Sequence, residues 1–224
     1  MRDFTAGENR REQIGVRPRH SLQFGMQPED CAAMMLALYR DLDHRLQGLE
    51  RTRVACAAGC AGCCVVNVAV LMPEAIALVE HVRNGLPAEC SHALAQRVAA
   101  HYGQVRGLNE QQRLSVQAGC AFLSPQGTCL VYPLRPLMCR SVSSTDPADC
   151  RAALTAADPE AAPPVLMNLQ QKQLCDTAFI ELAQAMATLG LDDRSTTLGT
   201  AVYHLLQQPG LAAAWLQGGP VPEP

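Results

Sequence analysis

Apolar residues recur at spacings of three or four from Cys31 to Leu49 (Cys31, Met35, Leu38, Leu42, Leu46, Leu49), which is one buried helix face. Pro28 suits the first turn, and Glu29 and Asp30 suit the positive end of a helix dipole, so this helix is expected from 28 to about 50. Residues 1–27 are polar and aperiodic and read as a tail. Val65–Leu71 fits a short strand or a buried lead into the next helix. That helix starts at Pro73, buries Ile76, Val79 and Val82, and stops near Asn84-Gly85. A third begins near Pro87, with Cys90, Leu94, Val98, Tyr102 and Val105 in register. Residues 119–163 show no helical face beyond a turn or so at Ala148–Leu154, and are expected to be irregular. After Pro163-Pro164 a long helix carries Cys175, Phe179, Leu182, Met186 and Leu189. Leu198, Val202 and Leu205 mark another, Leu211–Leu216 a short closing one, and the Gly/Pro-rich end is expected to fray. The fold class is mainly α: one helical domain over 28–220, a scaffold around an irregular cysteine-rich segment at 56–150.

Composition supports helix, with 33 Ala and 28 Leu against three Ile and nine aromatics. The apolar runs Cys31–Tyr39 and Val68–Met72 are too short to span a bilayer. Met1–His20 has five Arg and no apolar core of a secretion signal, so a cytoplasmic, reducing setting without membrane contact is expected. A net charge of −3, with no clustering of aromatics among basic residues, argues against nucleic acid as partner.

Eleven cysteines change the picture. Cys31, Cys90 and Cys175 extend apolar stripes and are expected in the core. The other eight, Cys56, Cys60, Cys63, Cys64, Cys120, Cys129, Cys139 and Cys150, lie in Gly- and Pro-rich stretches without period. In a reducing compartment such thiols point to metal rather than disulfides. Cys56-x3-Cys60-x2-Cys63 puts three thiolates in one loop, which suits an iron–sulfur cluster (4Fe-4S in preference) completed by a remote thiolate. Cys60-x2-Cys63 alone also suits half of a zinc site. Cys56, Cys60, Cys63 and Cys139 are therefore expected in one coordination sphere. Cys64, Cys120, Cys129 and Cys150 would form a second centre or a supporting shell, because adjacent Cys63 and Cys64 project differently. Arg135 and Arg140 are candidates to stabilise the negative charge of such a centre.

The three-cysteine loop also matches radical S-adenosylmethionine enzymes, but the barrel those need is not predicted here. Glu89-x2-His92 and Asp41-x2-His44 are too short a signal for a di-iron site. G-x-G-x-x-G, Walker A, H-E-x-x-H and G-x-S-x-G are all absent from the sequence.

Cys56-x3-Cys60-x2-Cys63-Cys64, Cys120-Ala-Phe-Leu, and Gly127-x-Cys129-x-Val131-Tyr132-x2-Arg135-Pro136-x2-Cys139-Arg140 together resemble the YkgJ-type cysteine-cluster family, described as zinc- or iron-chelating. Cys150 falls where many members carry their last cysteine. Leu189-Gly-Leu-Asp-Asp193 and Ala214-Trp-Leu-Gln-Gly218 also resemble some members' C-terminal ends. Ser141-Val142-Ser143 departs from the bulkier residues common there. The resemblance implies metal chelation. Flagellin lysine methylases carry a similar cluster, which implies a cluster-dependent modifying enzyme as the alternative.

Overall fold

In the computed structural model of the chain, the apolar stripe that begins at Cys31 is buried against a second helix that is apolar almost all round. The structure describes residues 25–156 and 162–223, so the tail expected over 1–27 lies almost wholly outside the described residues. Helix α1 (Pro28–Gln47) opens with Pro28, and Asp30 accepts the Gln27 N–H at 3.0 Å. It ends three residues earlier than expected, where the Gly48 N–H bonds back to the Arg45 and Leu46 carbonyls. Helix α2 (Met72–Asn84) buries every residue from Met72 to Val79, as well as Val82, and is the centre of the core. It packs against α1 on one side and against α8 (Leu198–Gln207) on the other.

Helix α3 (Ala88–Val105) packs on α8, α5 (Leu137–Ser141) packs on α7 (Leu169–Thr188), and α9 (Leu211–Leu216) closes against α1 and α8. Between α1 and α2, a two-residue strand β1 (Ala69–Val70) pairs antiparallel with β2 (Thr196–Thr197), in the register Ala69↔Thr197 and Val70↔Thr196. The Val65–Leu71 stretch is thus mostly a buried lead with a single short pairing. The fold is mainly α, and no described helix is long and apolar enough to cross a membrane.

Three expectations need correction, and one helix was not anticipated. Cys90 is exposed, because it sits one turn before Leu94, where the stripe of α3 has run past the edge of the core. Helix α4 (Glu110–Val116) had no apolar stripe to announce it. It is held instead by a reciprocal cap, with Asn109 Oδ1 accepting the Gln112 N–H and Gln112 Oε1 accepting the Asn109 N–H, and by buried Arg113. The segment expected to be irregular contains α5 as well as α6 (Pro147–Thr155), the latter where the Ala148–Leu154 turn was expected. The C-terminal end does not fray. Val221 is buried, and its N–H donates to Asp192 Oδ2 at 2.9 Å.

Candidate metal centre

The loop after α1 is tied to the segment after α5 by two bonds. Ala55 N–H donates to the Ser144 carbonyl at 2.8 Å, and Ser144 N–H donates to Cys56 Sγ at 3.2 Å. A turn closed by Cys60 N–H on the Ala57 carbonyl leads into the 3₁₀ turn Gly62–Val65, which carries Cys63 and Cys64. The Cys64 carbonyl accepts the Cys120 N–H at 2.8 Å, so the second cysteine stretch docks on the first.

From Cys120 the chain makes a small hairpin. Leu123 bridges to Cys129, Leu130 N–H donates to the Phe122 carbonyl, and Ser124 and Thr128 bond through both backbone and hydroxyls. Gly127 turns it with a left-handed φ of +77°, and a Cβ there would stand 3.0 Å from the Gly59 carbonyl oxygen. Only glycine lets the hairpin tip approach the Cys56–Cys60 loop this closely.

Cys139 is carried by α5, whose first N–H, at Leu137, donates to Glu74 Oε1 at 2.7 Å. Glu74 is fully buried on α2 and also accepts from Tyr39 Oη and Leu71 N–H. Cys150 is carried by α6, which is capped by Asp146 and packs on the 3₁₀ turn. Cys60 is exposed and the other seven are partly buried.

These thiols act on one another. Burial pushes the Cys56 thiol up, the Ser144 N–H opposes this, and Cys60, Cys63 and Cys150 add to the rise. Burial likewise raises Cys120, with Cys129 adding, and raises Cys139, with Cys120, Cys63 and Cys129 adding. Cys64 is raised above all by its hydrogen bond with Cys63, then by burial and by Cys63, Cys120 and Cys139 as neighbouring charges. Cys63 goes the other way, down to about 6, because Cys64 donates to it and Arg135 favours its thiolate. Among the described residues, no three His, Cys, Asp or Glu side chains already converge on one ligating position.

The two arginines differ. Arg135 lowers Cys63, Cys139 and, after burial has raised it, Cys129; its guanidinium stacks 4.8 Å from the Tyr132 ring centroid, and its Nε is buried without a partner. A buried donor left free beside several thiols fits an anionic centre that would accept from it. Arg140 is buried, and its donors are spent on the Arg135 and Pro133 carbonyls and on Asp43, with Tyr39 beneath it. It braces the loop, and its charge bears on Cys129 and, in the core, on Cys175. The donor set of soft thiols, one N–H on sulfur and a free buried guanidinium donor fits thiolate-bound zinc or iron.

Sequence reasoning missed Glu74, although a carboxylate inside the apolar run Val68–Val79 was a signal. It also missed a cleft of about 190 Å³ beside Cys120, lined by Arg97, His101 and Gln104. Burial, with Arg113 adding, lowers His101 to about 4, so the ring is neutral and its Nε2 accepts from Arg113 Nη2 at 3.2 Å.

Residues 55–159 match the model of the CxxCxxCC family, whose description is "Putative zinc- or iron-chelating domain". No curated protein and no solved structure matches the chain. Over residues 55–159 the chain is therefore similar to the CxxCxxCC family, whose model is described as a zinc- or iron-chelating domain.

Proposed function

We propose that this protein holds an iron–sulfur centre in the thiolate nest formed by Cys56, Cys60, Cys63, Cys64, Cys120, Cys129, Cys139 and Cys150, in a reducing, cytoplasmic setting. The observation that carries the reading is the buried, unpartnered Nε of Arg135, whose guanidinium acts on Cys63, Cys129 and Cys139. Thiolate-bound clusters carry net negative charge and are tuned by donors to sulfur. The Ser144 N–H on Cys56 supplies a second such donor. Arg140 supports the centre from behind by fixing the Pro133–Arg135 turn. Anaerobic purification followed by metal and acid-labile sulfide analysis and a visible spectrum tests this. Iron with sulfide and a broad absorption near the visible is expected. Zinc without sulfide overturns the iron–sulfur assignment and leaves chelation standing.

The cleft beside Cys120 favours a second reading, a cluster-dependent modifying enzyme of the kind the flagellin lysine methylases exemplify. On that reading a small methyl donor perturbs the visible spectrum of the loaded protein. The Arg97→Ala, Gln104→Ala double variant abolishes the perturbation at unchanged metal content. A spectrum indifferent to the donor overturns it.

A further inference from the structure

We propose that the cleft beside Cys120 binds a small oxyanion, the carboxylate or phosphate group of a molecule that fits within about 190 Å³. The inference deepens the enzyme reading, on whose cleft it rests, by naming the chemical class of the ligand. Helix α3 presents Arg97, His101 and Gln104 at spacings of four and three, so they share a face and form one wall. The stretch Gly119–Ala121 forms the other. Its glycine and alanine, with Ala100 on α3, leave room without bringing polar side chains of their own, and no carboxylate lines the cleft among the described residues.

Arg97 is exposed, and its Nη2 donates to the Leu123 carbonyl, which ties the guanidinium to the far wall and fixes it at the cleft. The His101 ring is backed by α8, where a Cβ on Gly199 would stand 3.6 Å from Nδ1. On its other edge, Nε2 accepts from Arg113 Nη2 at 3.2 Å. A guanidinium only donates, so this nitrogen carries no proton and the positive charge of the site belongs to the two arginines.

Arg113 is only 1% exposed. Its Nη2 also donates to the carbonyl of Ala118, the residue before the far wall, at 2.6 Å, and its Nη1 has no partner among the described residues. A buried guanidinium thus stands behind the cleft, between His101 and Ala118. Neither arginine is in an ion pair among the described residues. Glu110 bears on Arg113 by its charge, but its carboxylate accepts from Asn67 Nδ2 at 3.0 Å. A buried charge is costly until it is matched, and away from water its field reaches further, so the complement of this cleft is an anion. The exposed Arg97 fork would grip the oxyanion directly, Gln104 would add a neutral hydrogen bond, and Arg113 would add its charge from behind.

Isothermal titration calorimetry of the full chain, with metal content measured on every sample, tests this with succinate and inorganic phosphate as separate probes. One saturable site is expected for at least one of them, and the tighter of the two identifies the group as carboxylate or phosphate. Arg97→Ala is expected to weaken binding at least roughly tenfold, the loss of a charge-assisted pair. Gln104→Glu, at an exposed position, brings a carboxylate into the cleft and is expected to abolish binding. Arg106→Ala, at an exposed arginine outside the cleft, leaves it unchanged. Saturable binding of neither probe overturns the inference, as does binding that Arg97→Ala and Gln104→Glu leave intact or that Arg106→Ala weakens equally. Arg97 also favours the Cys120 thiolate, so Arg97→Ala that loses metal but keeps anion binding assigns the arginine to the thiols and overturns the inference as well. Anion binding with a visible spectrum indifferent to a methyl donor overturns the enzyme reading alone.

Discussion

Glu74 shows how a single residue reaches the centre without touching it. Its carboxylate accepts from Leu71 N–H, Tyr39 Oη and Leu137 N–H, and so ties the core helix α2 to the short helix that carries Cys139. Glu74→Ala leaves two backbone donors and a phenol buried without partners, at a cost of about 2–4 kcal/mol. Urea unfolding should show that loss, and metal content should fall with it. Glu74→Gln keeps a carbonyl acceptor, cannot serve the Leu71 N–H as well, and lies between the two. Cysteines make a second contrast. Cys31→Ala empties space in the core under α1 and should cost roughly 1 kcal/mol, while Cys90→Ala should stay within about 0.5 kcal/mol, both read from thermal unfolding. Periodicity identified Cys31 and Cys175 as core residues and failed for Cys90. Spacing reveals which face of a helix is apolar, but not where along its length the core stops covering it.

At the scale of elements, the long helices were legible because each pays for its own order by burying a stripe, and α1, α2, α3, α7 and α8 all fall near their expected places. Helix α5 was not legible. Its five residues are held from outside, by Glu74 at its start and by Gln171 Nε2 on the Arg140 carbonyl, and none of this leaves a local pattern. The C-terminal segment is a similar case. Asp192 accepts from Arg194 and from the Val221 N–H, and its carbonyl accepts the indole N–H of Trp215 at 3.2 Å. The hydrogen bonds from Arg194, with the Val221 N–H adding, hold the Asp192 carboxyl well below the usual carboxylate range. A depressed carboxylate stabilises fully above its unfolded value near 4 and progressively less as pH falls below it. Trp215 is the single tryptophan, so an acid titration should show its emission change only below about pH 4. Asp192→Asn should remove that acid step.

At the scale of the molecule, the helices around the core and the cysteine segments are stabilised by different means. The 3₁₀ turn Gly62–Val65 and helices α5 and α6 are too short to persist alone. Ordering their surroundings costs about 1–2 kcal/mol per residue, which ligand bonds must largely offset. Removing metal with a chelator should therefore open the stretches 55–66 and 119–156 to protease while most of the far-ultraviolet helix signal remains. Cys60→Ala and Cys139→Ala should each reproduce part of that opening, and Cys31→Ala none of it. The eight thiols could be grouped from sequence because spacing and composition set them apart. Their arrangement around one another could not be read there, since it depends on contacts such as that of α6 with a loop more than eighty residues earlier.

The pairing of Ala69–Val70 with Thr196–Thr197, and the packing of α2 on α8, join the two halves of the chain across the whole cysteine region. During folding, the core cannot close until that long intervening stretch has brought its ends together. Metal captured between the Cys56–Cys64 loop and Cys139 would shorten it first. By the logarithmic cost of loop closure, such shortening lowers the entropic barrier by about 1 kcal/mol, enough for a severalfold gain in rate. The metal then sets the tempo of folding as well as its end point: a chain made where metal is scarce dwells longer with α2 and α8 unjoined, their apolar faces open to other chains.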